Sequence, residues 1–160
     1  MCIRDSLDTM GFEQISLKGR ALRYLAGREH SRLELTRKLA PHEAHPGEIE
    51  AVLDELQAKG YISEARVAAS VVHRRAPKLG TARVRQELQS KGLPPELVAQ
   101  TVAELRQSEQ ARAQDVWRRK FDAPPQNPQE TVKQMRFLIS RGFAPDVVRR
   151  VVAAAGQTDD

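Results

Sequence analysis

Cysteine, aromatic rings and long apolar runs are all scarce in this sequence, and each scarcity excludes something. Cys2 is the only cysteine of 160 residues, so no intrachain disulfide can form and a reducing compartment fits. No stretch approaches the roughly 20 apolar residues that a membrane span needs. Arg4, Asp5 and Asp8 interrupt any secretory apolar core at the N-terminus, and the expected location is the cytoplasm. Gly-rich phosphate loops, GxSxG, HExxH and CxxC are absent as well. No catalytic residue, cofactor site or metal site is expected, and the chain does not read as an enzyme.

What is present favours helices. Hydrophobic residues make up 40% of the chain but aromatic residues only 4%. Ala, Leu, Arg, Gln and Glu dominate, and they lose little freedom in a helix. Valine is the exception, so pairs such as Val71-Val72 and Val147-Val148 need burial to justify them. Ser31-Arg32-Leu33-Glu34 is a capping box. Asn127-Pro128-Gln129-Glu130 joins an N-cap, a first-turn proline and an N3 glutamate. Gly60, Gly92 and Gly142 each follow a lysine or arginine, the pattern of a left-handed C-cap with a cation at the negative helix end. About nine helices are predicted, most of roughly 9–14 residues.

The chain also repeats itself. Leu88-Gln89-Ser90-Lys91-Gly92-Leu93-Pro94-Pro95 can be laid on Leu138-Ile139-Ser140-Arg141-Gly142-Phe143-Ala144-Pro145 at a constant offset, which then pairs Val98 with Val148 and Val102 with Val152. Glu34-Leu35-Thr36-Arg37-Lys38 is a looser copy of Glu87-Leu88-Gln89-Ser90-Lys91. A third helix precedes each pair, over 17–28, 64–75 and 109–120. The expectation is an all-α, elongated and curved tandem array of three three-helix repeats, helix-turn-helix-like, over 16–63, 64–107 and 108–155. Residues 1–15 are expected to be disordered or non-native, since the leading Met-Cys-Ile-Arg-Asp-Ser has no helical period.

Charge is uneven. Residues 1–63 carry 9 basic and 10 acidic side chains, residues 64–105 carry 7 and 4, and the remainder 10 and 7. A basic bias restricted to the later part suggests a polyanion or an acidic protein surface as partner. Arg74, Arg75, Lys78, Arg83 and Arg85 form the candidate partner-binding patch, although helix capping and a solvated face would explain the same residues. Trp117-Arg118-Arg119-Lys120 suggests base stacking, but Trp117 shares an apolar face with Ala113, Val116 and Phe121 and is favoured as core. His42 and His45 could pinch a metal only with further ligands, and the solvated-loop reading prevails.

Three stretches resemble the RecX family. The first is Ala21-Leu22-Arg23-Tyr24-Leu25-Ala26-Gly27-Arg28-Glu29-His30-Ser31-Arg32-Leu33-Glu34-Leu35. The second is Gly60-Tyr61-Ile62-Ser63-Glu64-Ala65-Arg66-Val67-Ala68, and the third runs from Gly80 through Thr81, Arg83 and Arg85 to Gly92. Their order and spacing, more than any single motif, carry the likeness, which extends from about residue 16 to 152. The chain departs from the family pattern at Val67 and Val71, helix-packing positions where an aromatic is common.

The resemblance implies a monomeric regulator that binds RecA and its filament on single-stranded DNA. It implies inhibition of ATP hydrolysis, strand exchange and coprotease activity, in the regulation of DNA repair, recombination and the SOS response. A direct helix-turn-helix-like DNA-binding protein is the alternative, with weak DNA binding by the free chain as its milder form. A structural adaptor for another protein is a third reading.

Overall fold

Each of the predicted caps starts or stops a helix in the computed structural model, which describes residues 15–157. The expectation for residues 1–15 therefore lies outside the described residues, Ile15 excepted. Among the described residues there are eight α-helices and no strand: α1 (Leu17–Gly27), α2 (Arg32–Leu39), α3 (Glu48–Ala58), α4 (Glu64–Arg75), α5 (Thr81–Ser90), α6 (Pro95–Lys120), α7 (Pro128–Ser140) and α8 (Pro145–Ala155). A short 3-10 turn, Ala40–His42, follows α2. The chain divides into two compact units, Met1–Val67 and Ala68–Asp160, with the boundary inside α4.

Local chemistry explains the helix ends. The Ser31 hydroxyl accepts from the Glu34 amide at 3.2 Å, and the Glu34 carboxylate accepts from the Ser31 amide at 3.1 Å. Both orphan donors of the first turn of α2 are thereby satisfied. Asn127 caps α7 by accepting from the Glu130 amide at 2.8 Å. Pro128, Pro95 and Pro145 occupy first-turn positions, where no amide proton is needed. Gly60, Gly92 and Gly142 have φ of 84°, 69° and 94°, the left-handed turn that a side chain resists. Beyond two of them, the Tyr61 amide donates to Leu56 and the Phe143 amide to Leu138, closing the turn.

The internal repeat is also a repeat of burial. Leu88 and Leu138, Leu93 and Phe143, Val98 and Val148, and Val102 and Val152 are all buried. Each such side chain contributes roughly 1.5–3 kcal/mol, which offsets the modest helix propensity of valine. In the first unit α1, α2 and α3 close over Ala21, Leu35, Leu39, Ile49, Leu53 and Leu56. In the second, α6, α7 and α8 enclose Val116, Leu138, Phe143, Val148, Val151 and Val152, while α5 lies along α6. Val67 and Val71 are buried, so both are packing positions.

One expectation is corrected. The spacing predicts a break between 105 and 109, giving about nine helices, but α6 continues through it for 26 residues. Arg106-Gln107-Ser108-Glu109-Gln110 holds neither glycine nor proline, and nothing there ends a helix. The proposed division at 107–108 thus falls within one helix.

Candidate functional site

The five residues singled out from sequence do not form one patch. Arg75, Lys78 and Arg83 line an open groove of about 540 Å³ in the second unit. Arg119, Lys120 and Arg141 join them from α6 and the C-cap of α7, and Leu79, Val116 and Phe137 supply its apolar floor. Arg85 lies instead on a second groove between α5 and α6, beside Gln89, Val98 and Arg106. Arg74 is exposed and lines neither. Arg83 and Arg85 part because residues two apart on a helix point to different sides.

The loop between α4 and α5 sets the groove's edge, and α6 pins that loop. Arg112 is its chief fastener. The guanidinium donates to the carbonyls of Ala76 at 3.0 Å, Leu79 at 2.7 Å and Leu105 at 2.9 Å, and to the Thr81 hydroxyl at 3.0 Å. With the Ser108 hydroxyl, which accepts from Nε at 3.0 Å, one planar fork thus meets five acceptors with fixed geometry. Burial pushes the Arg112 guanidinium down from its usual range while the nearby Glu109 charge opposes the shift; an arginine so placed stays charged. Glu109, itself buried, accepts from the Thr81 amide at 3.0 Å. A carboxylate at the first turn of α5 also suits that helix's positive end.

Glycine makes the approach of α5 to α7 close. The Gly80 amide donates to the Arg141 carbonyl at 2.7 Å, and the Ala82 amide donates to the Gly142 carbonyl at 3.3 Å. A Cβ on Gly80 would stand 2.2 Å from the Gly142 carbonyl carbon. Backbone meets backbone here.

Four of the groove's six cations are held by neutral groups. Arg83 donates to the Ser140 carbonyl at 2.8 Å, and Arg119 donates to the Pro77 carbonyl. Lys120 Nζ and Arg141 Cζ lie 5.5 Å and 4.9 Å from the centre of the Phe137 ring, within cation–π range. Among the described residues, only Arg75 of the six meets a carboxylate, Glu87 Oε2 at 3.0 Å. Neutral carbonyls and a ring fix the positions of these groups and leave their charge available to an anion.

Trp117 is half-buried against the core of the second unit, and its Nε1 donates to Gln134 at 2.8 Å. The indole is therefore a packed, satisfied side chain. Its sequence neighbours Arg119 and Lys120 belong to the groove, and sequence reasoning left them out of the patch. Among the described residues no group of three His, Cys, Asp or Glu could hold a metal ion, and no helix is long and apolar enough to cross a membrane.

Comparison with known proteins places the chain. Family models of the first, second and third three-helix domains of RecX match residues 18–56, 63–102 and 107–152. The regulatory protein RecX of Leptothrix cholodnii is 58% identical over 147 residues, 92% of this chain and 94% of that protein. Its namesake from Ralstonia nicotianae is 49% identical over 143 residues, 89% and 90% of the two chains. In fold, the chain is similar to the crystal structure of RecX from Lactobacillus salivarius, with a TM-score of 0.76 at 16% identity over 88% of this chain and 95% of that one.

Proposed function

The chain belongs to the RecX family, and from that premise we propose that it is a regulator of the RecA recombinase. It binds RecA and the RecA filament on single-stranded DNA, in the cytoplasm, and restrains ATP hydrolysis, strand exchange and coprotease activity. It does so by occupancy and performs no reaction of its own, in keeping with relatives named regulatory proteins. The three proposed units, 16–63, 64–107 and 108–155, act together, so that several weak contacts reinforce one another through effective concentration.

The observation that carries this reading is the groove: six cations around an apolar floor, one of them neutralised by a carboxylate among the described residues. A filament of nucleoprotein offers repeated anionic surface to such a groove. Arg75, Lys78 and Arg83 contact the target there, and Arg74 and Arg85 extend the contact from outside it. The decisive measurement is RecA ATPase on single-stranded DNA, titrated with substoichiometric amounts of this protein. Strong inhibition below one regulator per RecA protomer is expected. Arg74→Glu combined with Lys78→Glu should weaken that inhibition at an unchanged melting temperature. An ATPase unaffected by the unaltered chain would end the assignment.

A further inference from the structure

We propose that the groove between α6, α7 and the α4–α5 loop seats the phosphodiester backbone of a single DNA strand, with Lys120 and Arg141 as its principal phosphate contacts. The inference rests on the regulatory reading above and assigns this part of the contact to the nucleic acid, not to the protein of the filament.

Hydrogen-bond polarity separates the two. Every polar side chain that lines the groove is a lysine or an arginine, and none of them can accept a hydrogen bond. An acidic peptide brings carboxylates, but it also brings a backbone N–H at nearly every residue. Those donors would meet more donors, and a desolvated donor without an acceptor is costly. A phosphodiester chain brings phosphate and sugar oxygens that accept. Donors on one side then face acceptors on the other.

Geometry supports the same occupant. Arg83 and Arg119 are held by the Ser140 and Pro77 carbonyls, so their directions are set before any ligand arrives. Lys120 and Arg141 rest near the face of Phe137, and no carboxylate meets either among the described residues. Phe137 in turn packs edge-on against Phe121 at 5.5 Å between ring centres, giving the two cations a fixed platform. With its face so occupied, the ring serves the cations and leaves bases turned outward. Contacts of this kind give affinity without sequence preference.

The test is fluorescence anisotropy of the purified chain with labelled oligodeoxythymidylate across a salt series. Removing two phosphate contacts from a single strand should flatten the slope of log K against log salt by about 1.4 and weaken binding about tenfold or more at low salt. Lys120→Ala with Arg141→Ala should do this at an unchanged melting temperature. Arg37→Ala with Arg149→Ala, which removes equal charge from exposed helix positions elsewhere, should leave the slope close to the unaltered value. Polyglutamate should compete poorly at matched charge concentration. No binding by the unaltered chain, equal losses in both double variants, or efficient displacement by polyglutamate would each overturn the proposal. If the slopes behave as expected but RecA ATPase is untouched, the groove assignment stands and the RecA reading fails. If RecA is inhibited equally by the unaltered and groove-altered chains, and their slopes match, the reverse holds.

Discussion

The two units differ in the balance of partners that hold their cations. In the first, basic side chains find carboxylates: Lys18 and Lys59 share Glu55, Arg28 meets Glu34, Arg32 meets Asp54, and Arg66 meets Glu29. In the second, Arg75, Arg118 and Arg150 also meet carboxylates, but Arg83, Arg112 and Arg119 are held by backbone carbonyls, and Lys120 and Arg141 by a ring. A pair with a carboxylate cancels charge, whereas a bond to a carbonyl fixes the cation and leaves its charge in place. Similar residue types on similar helices thus cancel charge around Glu55, Glu34 and Glu29 in one region and leave it in place along the groove of the other.

The sharpest way to break the contrast is at the backbone of the second unit. Gly80→Ala should destabilise the protein by about 3 kcal/mol, because a methyl 2.2 Å from the Gly142 backbone forces α5 and α7 apart. Urea unfolding would report it, and oligonucleotide binding should fall with it. Arg112→Met comes next. It leaves the carbonyls of Ala76 and Leu79 without the guanidinium donor, at a cost of about 2 kcal/mol in the same assay. A loss no larger than that of a surface substitution would show the loop to be held by something else.

A smaller effect, of predictable sign, separates a buried and a half-buried group in the first unit. Burial lowers the pKa of His30 below 6.5, although a hydrogen bond to the Arg28 carbonyl opposes the shift. Unfolded chains take up that proton near 6.5, so acidification below this value favours unfolding until the folded histidine also titrates. Burial raises Glu64 above 4.5, against the bond it accepts from the Arg32 amide. Between 4.5 and its raised value the folded form holds the extra proton, so stability from this group increases as pH falls. His30→Gln should therefore lose less stability than the unaltered chain between pH 7 and 5, and Glu64→Gln should lose more. Urea midpoints at both pH values decide it.

Least is expected at Glu55. Its two lysine partners, which bond to it directly, hold its carboxyl down at about 2, and an NMR titration should find it there at low salt. Raising the salt should move it toward the ordinary carboxylate range. Because the group is exposed, Glu55→Gln should shift the melting temperature less than Arg112→Met does.

Much of the fold was legible because its signals are local. The capping box at Ser31, the glycine after Lys59, Lys91 and Arg141, and the prolines at first-turn positions each act within a few residues. The offset between Leu88 and Leu138 could be read because burial at equivalent sites demands similar side chains. The continuity of α6 was missed because apolar spacing changes near Ser108 while helix propensity does not. Half of the groove was also legible: Arg75, Lys78 and Arg83 lie within one short stretch. Arg119, Lys120, Phe137 and Arg141 come from a later repeat, and only the packing of α6 and α7 brings them to the same place. Arg85 lies on a different groove from Arg83 for a reason the helical period already contained, since the two stand two residues apart.

The uninterrupted α6 belongs at once to the second and third of the matched domains, running about 39 Å as a single rod. Melting either half of that rod strips the other of its scaffold. Hydrogen-bonded amide protons inside its two halves should therefore exchange with deuterium at a common, slow rate, and a molecule stretched from its termini should surrender both domains in one rip.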